Sequence, residues 1–224
     1  KTLGGLNVLN TSQLDLPQLF QHQQPDASLE AFKQNLRKIR FELLSEQGKI
    51  ILFTSSQAKT GKSAIMLALA YSLSLNNKRV MIIDTNFKNQ DLTQICHATP
   101  KLEQFFEVQT PISSLITHTG LYGVDIIGSQ GSNSSPSEVL PEAEFSSLLK
   151  ELEKKYDYIF MEGPSMNTYS DTKELSEFAD RILPVFSAKT SIKQQDRNAI
   201  NYMRKQDGKL MGAILNNVAL KDLA

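Results

Sequence analysis

Residues 54–63 read Thr-Ser-Ser-Gln-Ala-Lys-Thr-Gly-Lys-Ser, directly after the apolar run Ile50, Ile51, Leu52 and Phe53 and before a stretch with helical character. A loop ending in Gly-Lys-Ser between a buried strand and a helix is the setting that a phosphate-binding P-loop requires. The strand delivers the loop, and the helix aims its unpaired N–H groups and positive dipole end at an anion. The lysine and serine supply a charge and a magnesium ligand. Ala58, Lys59, Thr60, Gly61, Lys62, Ser63 and Ala64 are therefore the candidate nucleotide-binding residues, with ATP or ADP and Mg2+ as ligands. The filling of the loop is unusual. Ser56 stands where the pattern opens with glycine, and Ala58 and Lys59 stand where glycine or proline is common.

A chain of 224 residues has room for one substantial α/β domain. Lys plus Arg and Asp plus Glu balance at 24 each. No global field then draws the chain to nucleic acid or an anionic membrane, and DNA binding is not expected. A single cysteine, Cys96, cannot form an internal disulfide, which suits a reducing cytoplasm. The longest mostly apolar stretch, residues 64–75, is too short for a bilayer and carries Tyr71, Ser72 and Ser74, so a soluble domain is expected. Because the chain begins at Lys1, an excised portion of something longer is expected.

Residues 1–27 are rich in Gln, Asn and Leu, are broken by Pro17 and Pro25, and read as a linker or N-terminal arm; residues 28–224 read as the P-loop domain. Ser28 as N-cap with Glu30 in the first turn predicts a helix to about Ser45, with Leu29, Phe32, Leu36, Ile39 and Leu43 on one face. Beyond it, strands are predicted at 49–54, 79–84, 123–127, 157–161, 181–186 and 211–216, and helices at 62–76, 142–155, 172–179 and 190–206. Apolar strands alternating with helices imply a three-layer, doubly wound, mostly parallel sheet covered on both faces. Ligands in such sheets bind at the carboxyl ends of the strands. Those ends carry Gly61-Lys62-Ser63, Asp84-Thr85-Asn86, Glu162-Gly163-Pro164 and Asn216-Asn217. Asp84 and Glu162 each close an apolar strand with the hard oxygen donor that magnesium at a nucleotide needs.

With these residues in order, the chain resembles the cytoplasmic domain of the bacterial tyrosine kinases (BY-kinases) of capsule and exopolysaccharide synthesis, relatives of the MinD/ParA-type P-loop ATPases. The likeness runs from about Ser28 to Val218 and includes Glu30-Ala31-Phe32, Ile83-Asp84 with Lys88, Pro136-Ser137-Glu138, Tyr156-Asp157-Tyr158, Gly163-Pro164, Ser170-Asp171, Lys189-Thr190 and Gly212 to Asn216. The resemblance implies a P-loop NTPase fold and transfer of the ATP γ-phosphate to protein tyrosines. It makes Lys62 the phosphate lysine and Ser63 a metal ligand. Asp84 becomes a metal ligand and the base for a tyrosine hydroxyl, whose ordinary pKa is about 10. Glu162 becomes the Walker B acid, and Asn216 falls where relatives touch adenine. It also implies a membrane chain-length regulator or fused transmembrane segment as partner, a homo-oligomer as an option, and a place at the inner face of the bacterial membrane.

Several positions depart from the family pattern. The family's Asp-x-Asp reads Asp84-Thr85-Asn86, its Walker B aspartate is Glu162, its arginine is Lys88, and no tyrosine cluster follows Tyr202. The subunit-contact pattern Glu-x-x-Arg-x-x-Arg reads Glu30, Lys33, Leu36, with Arg37 one place later. Two alternatives follow: a catalytically degenerate nucleotide-binding or structural regulator of the same machinery, and a MinD/ParA-type ATPase, which would carry lysine at the position of Gln57. Arg37, Lys38 and Arg40 read most simply as a solvated helix face. Cys96 reads as a small half-buried side chain, and Ser132 to Ser135 as a polar connection. His22, His97 and His118 lack the spacing of a zinc site.

Overall fold

The computed structural model describes residues 1–7, 16–17, 26–108, 110–206 and 208–223. In chain order the elements are β1 (Thr2–Asn7), α1 (Ala27–Ser45), β2 (Ile50–Ser55), α2 (Lys62–Ser74), β3 (Val80–Ile83), α3 (Asp91–Ile95), α4 (Leu102–Val108), α5 (Ile112–Leu115), β4 (Thr117–His118), β5 (Val124–Ile127), α6 (Pro136–Val139), α7 (Glu142–Glu153), β6 (Tyr158–Ser165), α8 (Asp171–Leu175), β7 (Arg181–Ser187), α9 (Gln194–Lys205) and β8 (Ala213–Val218). The strands form one sheet in the order β1-β8-β7-β2-β6-β3-β5-β4. Its pairings are parallel except for β4 against β5.

Alternate residues of the central strands go to opposite faces, as the pleat demands. Ile51, Phe53, Ile82, Phe160 and Leu183 join a core beneath α1 and α2. Leu52, Met81, Ile83, Ile159 and Met161 join a second core with Phe145, Leu148, Leu149 and Leu152 of α7. A sheet buried on both faces has near-continuous apolar strands, so the doubly wound, mostly parallel, three-layer architecture is borne out.

Four local features differ from the sequence reading. The α1 cap is Asp26, whose carboxylate accepts from Ser28 N at 2.8 Å and Leu29 N at 3.2 Å, rather than Ser28. An acid two residues upstream reaches two of the orphan N–H groups of the first turn. Thr2–Asn7 is an edge strand on β8 within the stretch read as an arm. Gly4 and Gly5 mask its apolar signal; a Cβ on Gly4 would lie 2.8 Å from Ile39 Cγ1, so α1 approaches the strand because no side chain intervenes. The expected arm's residues 8–15 and 18–25, with His22 among them, lie outside the described residues. β6 continues past residue 161 to Ser165, which puts Glu162 inside the strand, opposite Phe53, rather than after it. The register with β2 slips between Phe53 and Ser55, and Pro164, which has no N–H, falls in that slip. Finally, α9 begins at Gln194 rather than near 190.

Arg40 leaves the exposed row formed by Arg37 and Lys38: its Nη1 donates to Ser72 O at 2.8 Å, tying α1 to α2. Among the described residues no helix is long and apolar enough to cross a membrane. Leu6 of β1 is fully buried in the first core. Leu6→Ala should lower unfolding free energy by about 2–5 kcal/mol in urea denaturation; a loss below about 0.5 kcal/mol would show that β1 adds nothing to the core.

Candidate functional site

The loop joining β2 to α2 turns on two left-handed residues, Lys59 at φ 60° and Gly61 at φ 83°. Lys59 adopts at a side-chain-bearing residue the conformation that glycine takes most cheaply. Gly61 has a second reason to lack a side chain: a Cβ there would lie 2.4 Å from Asn216 Nδ2. That same nitrogen donates to Thr60 O at 2.8 Å, so Asn216 of β8 braces the loop from behind.

The loop forms one wall of a cleft of about 520 Å3, to which Ala58, Lys59, Thr60, Gly61, Lys62, Ser63 and Ala64 all contribute. Asn86 and Lys88 beyond β3, Glu162 and Pro164 of β6, and Tyr169 complete it. Two predicted residues stand off this lining. Asn216 is behind the loop, and Asp84 lies beneath Asn86, fully buried.

Glu162 is the hub of the floor. Its Oε1 accepts from Lys62 Nζ in a buried ion pair and from Ser63 Oγ at 2.6 Å. Its carbonyl accepts from Thr85 Oγ1 at 3.0 Å, which fastens the end of β3 to β6. Glutamate here reaches the loop directly, and the extra methylene is used to span from β6 to Lys62. Asp84 Oδ2 accepts from Thr93 Oγ1 at 2.6 Å and Thr93 N at 3.0 Å, and Oδ1 accepts from Asn86 N at 3.2 Å. Burial first and the Glu162 charge second raise the Asp84 pKa from 3.8 to about 7, against these hydrogen bonds.

The donor set suits a hard cation. Among the described residues, Glu162 Oε2 and Asn86 Oδ1 are buried without a hydrogen-bond partner, an expense that a metal or its bound water relieves. Ser63 Oγ lies 2.6 Å from Glu162 Oε1, and the Asp84 carboxylate is near enough to feel the Glu162 charge, so all four groups offer oxygen. Among the described residues no three His, Cys, Asp or Glu side chains converge as a metal cluster. A cation would therefore rest on these oxygens and on those of a bound anion.

Lys88 is engaged differently from an arginine fork. Its Nζ donates to Asn133 O and Ser134 O at 2.7 Å each and lies 3.7 Å from Asp171 Oδ2. One compact ammonium thus anchors the 132–135 connection to α8. Cys96 is half-buried, and burial, with Asp84 second, pushes its thiol up to about 11, so it is inert near neutrality. His118 Nδ1 pairs with Asp125 Oδ1 at 2.6 Å, away from the cleft.

The sequence profile of the AAA domain matches residues 48–196, well over half the chain, and encloses the loop, Asp84 and Glu162. The chain belongs to the AAA domain family. This AAA domain is similar to the tyrosine-protein kinase ptk of Acinetobacter johnsonii, at 26% identity over 95% of the chain and 29% of the relative. It is also similar to the tyrosine-protein kinase CpsD of Streptococcus agalactiae serotype Ia, at 21% identity over 83% of the chain and 81% of the relative. Less than a third of the Acinetobacter protein is therefore represented here. Among solved structures, the chimerical protein CapA2B2 shares the fold with a TM-score of 0.82 at 21% identity, covering 97% of this chain and 94% of that one. The likeness to bacterial tyrosine kinases implied by the motifs is thus matched by relatives that span nearly the whole AAA domain.

The Asp84 shift has a measurable sign. Between pH 3.8 and about 7 the folded state keeps a proton that the unfolded chain has released. Asp84's contribution to stability is therefore full below that window and falls as pH rises through it. In ligand-free protein the melting temperature of the wild type should drop relative to Asp84→Asn between about pH 4 and pH 7 and level off above that. An offset between the two that stays constant across this range would contradict the buried, protonated carboxyl.

Proposed function

We propose that the domain binds Mg-ATP in this cleft and transfers the γ-phosphoryl group to tyrosine hydroxyls, within machinery that makes or exports a capsular or exopolysaccharide. The observation carrying the proposal is a phosphate loop whose Lys62 and Ser63 both engage the buried Glu162, with the buried Asp84 carboxylate at the end of the adjacent strand. The similarity to tyrosine kinases over most of the chain supports this reading over a MinD/ParA-type ATPase or a non-catalytic regulator.

The α2 N-terminus and Lys62 bind and orient the phosphates. Lys62 exchanges its contact with Glu162 for the incoming anion. Ser63, Asp84 and Glu162, with Asn86 Oδ1, would hold the magnesium ion, which when bound neutralises charge on the β- and γ-phosphate oxygens. Asp84, buried behind Asn86 and off the cleft lining, would have to open to the cleft to take the tyrosine proton as the new O–P bond forms and the bond to the bridging β–γ oxygen breaks, leaving ADP. Asn216 serves the nucleotide through the loop it braces. Proximity to a membrane chain-length regulator, acting at the inner face of the bacterial membrane, belongs to the same proposal, as does assembly into a homo-oligomer.

Calorimetric titration with ATP and ADP, with and without magnesium, tests the proposal. Lys62→Ala should weaken nucleotide binding about 10- to 100-fold in a domain that stays folded, and wild type with Mg-ATP should phosphorylate a tyrosine peptide. Absence of binding at millimolar nucleotide by folded wild type would remove the proposal, and binding without turnover would leave a nucleotide-dependent regulator.

A further inference from the structure

Asp196, in the first turn of α9, is fully buried although it lies outside the cleft. Its carboxylate gathers three separate stretches of chain. Oδ2 accepts from Gln57 Nε2 at 2.7 Å, at the entrance of the phosphate loop, and from Lys193 N at 2.6 Å, ahead of the helix. Oδ1 accepts from Asn167 Nδ2 at 2.7 Å, in the segment after β6. Gln57 Nε2 also lies 3.2 Å from Ser191 O, and Asn167 N donates to Ser56 O at 3.1 Å, so the same three stretches are cross-linked twice more. Burial opposes ionisation, but the donors from Lys193, Asn167, Gln57 and Ser56 outweigh it and hold the Asp196 pKa below the usual carboxylate value.

A helix-capping acid needs only the Lys193 contact. The two side-chain amides from loops on either side of the cleft exceed that need. One of them, Gln57, lies on the half of the phosphate loop opposite the one that Asn216 braces, so the loop is held at both ends by residues that stand off the cleft lining. We infer that Asp196 is a positioning residue that pins the entrance of the phosphate loop to the head of α9 and to the segment after β6. Nucleotide affinity in this chain then depends on a carboxylate outside the site. The inference rests on the proposed nucleotide binding for its effect on affinity, and on the geometry alone for its effect on the loop.

Reversing the hydrogen-bond polarity tests it. Asp196→Asn and Gln57→Glu should each weaken ADP binding about tenfold and speed hydrogen exchange at amides 56–61, because each leaves donors or acceptors facing their own kind. Combining the two substitutions again sets one amide against one carboxylate, with the donor now on α9 and the acceptor on the loop. The double variant should recover part of both losses but fall short of wild type, because the new amide still meets the Lys193 N–H and the new carboxylate meets Ser191 O. Capping alone predicts faster exchange at the start of α9 in Asp196→Asn, unchanged loop exchange and no recovery in the double variant; that pattern would overturn the inference. Should Asp196→Asn fail to fold, Gln57→Glu at a half-exposed position carries the test, and unchanged loop exchange in it would overturn the inference equally. If wild type binds no ADP the proposed function fails, while the exchange measurement still decides whether Asp196 positions the loop.

Discussion

The parallel pairing of β2 with β6 is the constraint on which the site depends. Ile50 to Phe53 run in register with Ile159 to Glu162, so the strand that launches the phosphate loop and the strand that carries Glu162 reach the same level of the sheet side by side. β3, on the other flank of β6, brings Asp84 to that level as well. Were β2 and β6 shifted by one residue, Glu162 would change face and meet apolar side chains instead of Lys62. The apolar packing of both sheet faces, with Phe53 against Phe160 at 4.8 Å on one of them, holds the register and thereby the distance between loop and acid.

Features set by local chemistry were readable from the residues. The central strands, α1, α2, α7 and α9 follow from apolar runs and periodicity, and the loop with Lys62 and Ser63 follows from its Gly-Lys-Ser and its neighbours. Asp84 and Glu162 are legible because each follows an apolar run. The missing parts depend on partners distant in sequence. β1 exists because β8 offers an edge and because Gly4 and Gly5 let α1 come close, a condition that makes the segment look structureless when read alone. The extension of β6 over Gly163 and Pro164 relies on a register slip opposite, in β2. The short helices α3, α4 and α5 are too brief to show a period.

The roles of polar residues were harder to read than their presence. Asn216 is legible as a polar group at a strand end, yet its amide turns to Thr60 O and its position forbids a side chain at residue 61. Arg40 sits among exposed basic neighbours in sequence, while in space it spans to Ser72. Asp196 carries no local signal beyond that of a helix-start acid, and its three partners lie as far as 139 residues away. Side-chain hydrogen bonds between distant segments have no periodicity, and that is why pattern reading passes over them.

The engagement of Lys62 by Glu162 links two kinds of ligand. In the resting arrangement the cleft's central cation and anion satisfy each other, so the interior presents little net charge to an ion of either sign. An anion that takes Lys62 strips Glu162 of its counter-charge and leaves a carboxylate in need of a cation. A cation that takes Glu162 does the same to Lys62. Each arrival thus prepares the site for the other, and by linkage the two affinities rise by the same factor.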